Sequence, residues 1–369
     1  HKACACGLTR KTLSVLRYSV DPVVERVCHE IVLQQKSAVA DEREVKVRTR
    51  SPICAMAVRE TFDAFCLQQT LAAGAVELIK IESVLAISED AVGVTLRVAT
   101  SEGEREFRAA VVLGADGSNG QMRRLTSGVE GGEADWYERG FALEATVPYS
   151  ALPKTLPQGD KAEDLVFDFA PIAGGYGWMF PKGEHVNVGI GAFAPEEASG
   201  EEKQVLRGAQ DDGDRLKVVT RELLIRYTRE KLGVDLGALD ASVTHVTGQH
   251  LGMGGHRYVP HGRVLLVGDA AGLVDPLTGE GIHSAVVSGQ AAAAAVLAGG
   301  DVASAYARRL KKLQETLAFS HRAAKAFYRA PERGFKVMRV PLMRRLVLKT
   351  YADGLPWTKV LGWLARRVA

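Results

Sequence analysis

The sequence predicts an α/β fold in which a ligand cradle at parallel strand ends is combined with an inserted antiparallel sheet and a C-terminal helical cap. Three stretches carry that prediction: His261 to Gly289, the strand-and-acid segment from Val111 to Asn119, and an alternating aromatic run at Gly175–Lys182. In the first, Val264-Leu265-Leu266-Val267 is an unbroken branched apolar run, the pattern of a strand covered on both faces of a parallel sheet. It ends at Gly268-Asp269, and a carboxylate at the carboxyl end of such a strand sits where open α/β sheets bind ligands. Asp275-Pro276 marks a turn, after which Gly279, Glu280 and Gly281 lead into a helical run from Ile282 to Leu297. Glycines at a helix start admit close approach, and the amides and dipole there face anything electron-rich. An ordinary βα connection uses the same residue types for turn chemistry alone, so this stretch by itself leaves both readings open.

The other elements follow in chain order. Residues 1–12 read HKACACGLTRKT, and the alternation Glu44-Val45-Lys46-Val47-Arg48 predicts an exposed strand. Between Val58 and Gly74, Phe62, Phe65, Leu67 and Leu71 share one helix face and Gly74 caps the end. Ala75 to Ile87 reads as a strand, and Val92–Val98 with Glu104–Ala110 as a hairpin. Val111-Val112-Leu113 then ends in Gly114-Ala115-Asp116-Gly117-Ser118-Asn119, a second strand end with a tight turn and an acid. Arg139–Val147, Leu165–Ala170, Tyr176–Pro181 and His185–Phe193 predict an antiparallel sheet. Alternation sends Tyr176, Trp178 and Phe180 to one face, either as a wall for an apolar ligand or as core filling. Residues 199–236 read as a charged, solvent-facing helical connector, and Val243–Leu251 as a strand followed by a bend at Gly252-Met253-Gly254-Gly255. Gln249, His250 and His256 are within reach of a pocket, though isolated histidines in such a position are more often structural.

Composition bounds the function. At 369 residues, 25% charged and 46% hydrophobic, the chain has ordinary globular values and a net charge of +3. From Asp301 onward 16 Lys or Arg face 4 Asp or Glu, so the tail is basic and the rest net acidic. Helices there are expected to break at Pro331, Pro341 and Pro356. FKVMRVPLMRRLVLK, with Trp357, Trp363, Arg366 and Arg367, mixes apolar and basic residues, so peripheral membrane contact and a basic helical cap are both open. Five cysteines, Cys4, Cys6, Cys28, Cys54 and Cys66, are odd in number and clustered, which implies a reducing, cytoplasmic setting without a disulfide framework. Cys4-x-Cys6 lacks zinc-knuckle spacing, so no metal site is expected, nor is a nucleic-acid partner.

GDAAGLVDPLTGEGI at 268–282 resembles the second flavin-contacting motif of the geranylgeranyl reductase family, within the hydroxylase-like FAD enzymes. Gly114–Ser118 resembles that family's Gly-Ala-Asp-Gly-Ser motif, Arg59, Phe62 and Asp63 its Arg-x-x-Phe-Asp helix, and Tyr176–Pro181 its Tyr-x-Trp-x-Phe-Pro motif. Lys2, Cys4, Gly7, Leu8 and Thr9 match a loop that covers the flavin, while Ala3, Ala5 and Cys6 depart from it. The resemblance implies that Cys4, Gly7, Arg59, Val84, Asp116, Gly117, Gly268, Asp269, Gly279, Gly281 and Ile282 hold FAD. Tyr176 and Trp178 would line the path of a prenyl chain of lipid, chlorophyll or quinone type, and Cys4 would be a proton donor. It also implies NADPH or another external electron donor.

No G-x-G-x-x-G precedes these motifs, so the FAD-binding Rossmann-like domain is expected to be incomplete, lacking its N-terminal βαβ unit. The expected domains are 1–125 with 245–300 for FAD, 126–244 for the substrate sheet, and 301–369 for the basic helices. The leading function is reduction of isoprenoid C=C bonds by hydride transfer from reduced flavin. An FAD monooxygenase or halogenase on the same scaffold is the alternative, and a non-catalytic lipid- or partner-binding protein is a third.

Overall fold

The computed structural model describes residues 3–37, 40–126, 137–157, 164–193, 219–240 and 244–355. Its strands are β1 Gly7–Thr9, β2 Val24–Cys28, β3 Glu30–Ser37, β4 Ala40–Arg48, β5 Cys54–Ala57, β6 Ser83–Glu89, β7 Val94–Thr100, β8 Gly103–Ala109 and β9 Val112–Gly114. They continue with β10 Glu138–Pro148, β11 Leu165–Asp168, β12 Gly175–Pro181, β13 His185–Ala192, β14 Val246–Met253 and β15 Val264–Leu266. The chain divides into two compact units, one of His1–Asp63, Gly140–Gln249 and Ala323–Ala369, the other of Ala64–Arg139 and His250–Arg322.

In the first unit a seven-stranded sheet runs in the order β14-β10-β13-β12-β11-β3-β4, beside a small sheet β1-β5-β2. The expected antiparallel pairings are present at β10–β13, β12–β13 and β11–β12, but β11 joins β3 in parallel, Leu165 opposite Ile31. The strand expected at Glu44–Arg48 therefore belongs to this sheet, where Val45 and Val47 are buried.

One expectation is corrected here. The helix Arg221–Leu232 is no solvent-facing connector: Leu223, Leu224, Tyr227, Thr228 and Leu232 are buried. They form a core with Ala145, Val147, Val188 and Ile190 of the sheet. Most of its charges occupy the outer face, Lys231 instead reaching the buried Asp168 of the sheet at 2.8 Å, and a single apolar stripe is enough to dock the helix. Thr220 caps its start, accepting from Leu223 N at 3.1 Å, and Gly233 ends it in the left-handed conformation. The part of the expected connector at 199–218 lies outside the described residues.

On the other side of the sheet lie the C-terminal helices. Pro331 and Pro341 each begin a helix, Pro331–Met338 and Pro341–Asp353, as a ring that fixes φ and lacks an N–H favours. Pro356, Trp357, Trp363, Arg366 and Arg367 lie outside the described residues.

In the second unit β6-β7-β8 form one sheet, and β9 and β15 form a parallel pair with Val264, Leu265 and Leu266 opposite Val112, Leu113 and Gly114. β6 begins at Ser83, later than the Ala75 expected from the apolar residues. Leu266 turns its own backbone groups away from β9. Its N–H donates to the Tyr258 hydroxyl at 2.9 Å, and its carbonyl accepts from the Tyr306 hydroxyl at 2.9 Å. Two buried tyrosines thus complete the hydrogen bonding of a three-residue strand, as a buried backbone requires. Leu265, Leu266, Ala292, Ala295 and Tyr306 share one core.

Candidate functional site

In the second unit, the parallel register makes the two expected acid segments leave the same end of one strand pair. Gly268 has φ +56°, and a Cβ there would stand 3.1 Å from Ala285 Cβ, so both conformation and space call for glycine. Its amide donates to Ser288 Oγ at 3.0 Å. Asp269 follows in a 3₁₀ turn and is buried, its carbonyl accepting from the Tyr137 hydroxyl at 2.7 Å.

The loop back to the helix is built by Asp275. Its Oδ1 accepts the Leu277 and Thr278 amides at 2.9 and 3.1 Å and the Ser320 hydroxyl at 2.9 Å, while its carbonyl accepts the Gly279 amide at 2.8 Å. The helix Ile282–Ala298 then starts at Gly281, which has no side chain of its own to cap the first turn. Glu280 Oε1 accepts from His283 N at 2.8 Å. A Cβ on Gly281 would lie 3.2 Å from Asp269 Oδ1, which brings the acid and the positive end of the helix side by side. Gly268, Asp269, Gly279, Gly281 and Ile282 are thus brought together.

Asp116 is employed differently. Its Oδ2 accepts from Met122 N at 2.8 Å, capping the short helix Gln121–Thr126, and Gly120 is held against the carboxylate. The second strand end does not repeat the Asp269 arrangement, because its acid is spent on its own helix. Gly117 beside it has φ +78° and open space on its Cβ side. Val84 donates its amide to Gln121 Oε1 at 2.8 Å, which ties β6 to the same turn.

In the first unit, Cys4, Cys6 and Arg59 are adjacent. Cys6, buried at φ +48°, donates its amide to Cys4 Sγ at 3.3 Å. The Cys6 thiol also donates to Cys4, and together with the Arg59 charge this holds the Cys4 thiol well below the ordinary range, while Cys6 is pushed well above it. Arg59 is bonded through Nε to Asp63 Oδ1 at 2.7 Å, one turn along its helix. Gly7 lies in β1, where a Cβ would stand 3.0 Å from Cys54 Sγ.

Residues that the sequence reading did not single out complete this cluster. Glu144 of β10 accepts the Cys4 amide at 2.7 Å. Its carboxyl is pushed up to about 7, chiefly by burial and then by the negative charge on Cys4. Lys182 Nζ is buried and donates to the carbonyls of Ala5 and Ala57, and burial draws its ammonium downward. The signal for Lys182 was its position directly after the aromatic run. Glu144 carried none, because an inward glutamate in a strand is visible only once the opposing loop is placed.

Tyr176, Trp178 and Phe180 share a face of β12, as the alternation requires, with centroids 6.0 and 6.4 Å apart in succession. Trp178 Nε1 donates to Asn187 Oδ1 at 2.7 Å. Phe167 meets Tyr176 and Phe180 at 5.2 and 5.0 Å, and Phe169 meets Phe327 and Phe335 of the C-terminal helices at 4.9 and 5.8 Å. The aromatic face is therefore covered by the helical cap. The expected membrane contact gains no support from helices whose rings point onto the sheet. Among the described residues no helix is long and apolar enough to cross a membrane.

A parallel strand pair ending in a buried acid beside a helix N-terminus is the place where open α/β sheets bind ligands, nucleotides among them. The chain belongs to the FAD binding domain family, whose model matches residues 6–299. It is similar to digeranylgeranylglycerophospholipid reductase 2 of Methanopyrus kandleri, at 26% identity over 73% of this chain and 64% of that one. It is also similar to the chloroplastic geranylgeranyl diphosphate reductase of Oryza sativa subsp. japonica, at 28% identity over 53% of this chain and 35% of that one.

The chain thus spans less than two thirds of the length of these curated relatives. Among solved structures, a geranylgeranyl bacteriochlorophyll reductase-like protein from Thermoplasma acidophilum superposes with a TM-score of 0.66 at 19% identity, covering 88% of this chain and 78% of that one. The flavin-dependent brominase Bmp2 gives 0.66 at 14%, covering 95% and 84%. These two show the fold. The expected FAD-binding α/β fold and the FAD cofactor are met.

The residues present fit FAD. The test is Gly281: a Cβ there would fill the space beside the Asp269 carboxylate, 3.2 Å from Oδ1, so the cradle stays open because the residue is glycine.

Proposed function

We propose that the protein is an FAD-dependent oxidoreductase that reduces C=C bonds of an isoprenoid chain. The observation that carries the reading is the strand end at Asp269 with the Gly281 helix start, in a family segment shared with prenyl reductases. Gly268, Asp269, Gly279, Gly281 and Ile282 are assigned to the flavin, with Val84, Asp116 and Gly117 on the same unit contributing backbone. Cys4, Gly7 and Arg59 are assigned to it from the first unit on the strength of the resemblance alone. The FAD-binding set is taken as 1–125 with 245–300, the substrate sheet as 126–244 and the cap as 301–369.

When bound, FAD supplies the hydride chemistry. The Gly281 and Ile282 amides, at the positive end of the helix, favour negative charge on whatever faces them. The carbon beside the one that accepts hydride needs a proton, and Cys4 is its assigned source. The Cys6 hydrogen bond and the Arg59 charge hold the Cys4 thiol low, which makes its proton easier to give up. Glu144, its carboxyl pushed up to about 7 and one hydrogen bond from the Cys4 amide, is the group proposed to return that proton. Tyr176 and Trp178, buried beneath the helical cap, are assigned to the path of a polyene on the strength of the resemblance alone.

The test is anaerobic: the reduced protein is mixed with geranylgeranyl diphosphate, and flavin reoxidation is followed together with the mass of the prenyl product. A gain of two hydrogens per double bond with matched flavin oxidation is expected. Reoxidation that needs oxygen, with the substrate gaining an oxygen atom, would instead establish a monooxygenase. NADPH is the proposed electron source, checked by bleaching of the flavin on its addition.

A further inference from the structure

We propose that Glu138, His256 and His321 form a binding site for one divalent transition-metal ion of the zinc class, within the second unit. The three residues come from the start of β10, from the bend after β14, and from the helix Val302–Arg329, so their sequence spacing conceals the site. His256 Nε2 lies 2.9 Å from Glu138 Oε2, and His321 Nδ1 lies 3.8 Å from the same oxygen. One ligand atom from each residue falls within 4.8 Å of the others.

An ion with bonds of about 2.0–2.2 Å in tetrahedral geometry holds its ligand atoms about 3.4 Å apart. The two separations to Glu138 bracket that value.

The surrounding chain is shaped to this cluster. Gly255 has φ +115°, and a Cβ there would come 2.3 Å from His321 Nδ1, so the bend passes the imidazole only because it is glycine. The two imidazole rings stand at 89° with centroids 5.2 Å apart, which lets both nitrogens converge from different sides. His321 Nδ1 also lies 3.2 Å from the Gly254 carbonyl, a hydrogen bond that metal binding would replace. Glu138 and His321 are partly buried and His256 is exposed, which gives an ion an entry side and leaves its fourth position to water. Two imidazoles and one carboxylate suit zinc, cobalt, nickel or copper over magnesium or calcium.

Occupancy would bear on the proposed flavin site through one residue. Tyr137, next to Glu138, holds the Asp269 carbonyl, so an ion that fixes Glu138 also fixes the turn carrying that acid. The metal is not assigned a part in the reaction.

The experiment titrates chelator-treated whole protein with Zn²⁺ by calorimetry and records the visible spectrum with Co²⁺. One saturable equivalent is expected, weakened more than about tenfold in His256→Ala and in His321→Ala, with a Zn²⁺-dependent rise in melting temperature lost in both. The Co²⁺ spectrum of the unaltered protein should show d–d bands without thiolate charge transfer, a readout that needs no variant to fold. Absence of a saturable equivalent, binding unchanged in the double variant, or a thiolate band placing the ion on the cysteines would each overturn the site. None of these readouts involves flavin or substrate, so failure here leaves the proposed reduction to its own test.

Discussion

Gly114 and Leu266 face each other in the parallel pair so closely that a Cβ on Gly114 would stand 2.7 Å from Leu266 Cδ2 and 2.9 Å from Met122 Cβ. The common end of the two strands, where Asp116 and Asp269 emerge, depends on that closeness. Gly114→Val should cost about 1–3 kcal/mol through overpacking. Urea unfolding checks it, and a midpoint unchanged from the parent would mean that the strands are not in this register.

Glu144 gives the protein a pH signature. Its carboxyl titrates near 7 when folded and near about 4.3 when unfolded, so the folded state binds the proton more tightly. The stability it contributes is fully present below pH ~4.3 and is lost as pH rises through ~7, on the order of 3 kcal/mol. Glu144→Gln should flatten that part of the stability–pH curve. A slope between pH 5 and 7 equal to that of the parent would remove Glu144 as its source.

The Cys4 thiol, held low by Cys6 and Arg59, should be alkylated by iodoacetamide at a pH below that of an ordinary thiol. Arg59→Gln should move the half-reaction pH upward, because the first charge favouring the thiolate is then gone. Peptide mass spectrometry over a pH series reads this directly. An unshifted profile in the variant would sever Arg59 from the cysteine.

Trp178 is fixed by its indole N–H on Asn187. Trp178→Phe should cost about 1–3 kcal/mol, since it leaves a buried amide oxygen unpaired, and combined with Asn187→Leu, which also removes a partner of Glu144, it should cost less than the two single changes summed. Thermal melts of the two variants and the double variant make the comparison. If the double variant is no more stable than the sum of the singles predicts, the hydrogen bond is not what holds the ring.

Much of this was legible in the residues. The helix starts at Gly281, Pro331 and Pro341, the alternation of Tyr176, Trp178 and Phe180, and the strand ends at Gly114 and Leu266 follow from local chemistry, and local chemistry is what a sequence records. The employment of Asp116 was not, because an acid after a glycine turn reads alike whether it faces a ligand or caps the helix behind it. The burial of the helix Arg221–Leu232 was masked by its charged outer face. Glu144, Lys182, Glu138 and His321 acquire meaning only from partners more than a hundred residues away or on another element.

The central claim is that the Asp269 turn and the Gly281 helix start hold FAD. The most direct measurement is the visible absorption spectrum, with flavin stoichiometry, of the purified protein and of Gly281→Val. The account predicts flavin bands near one equivalent in the parent, and loss of most of the flavin in the variant while its far-UV circular dichroism stays that of a folded protein. A colourless parent protein that takes up no added FAD, or a variant that retains its full flavin content, would contradict it.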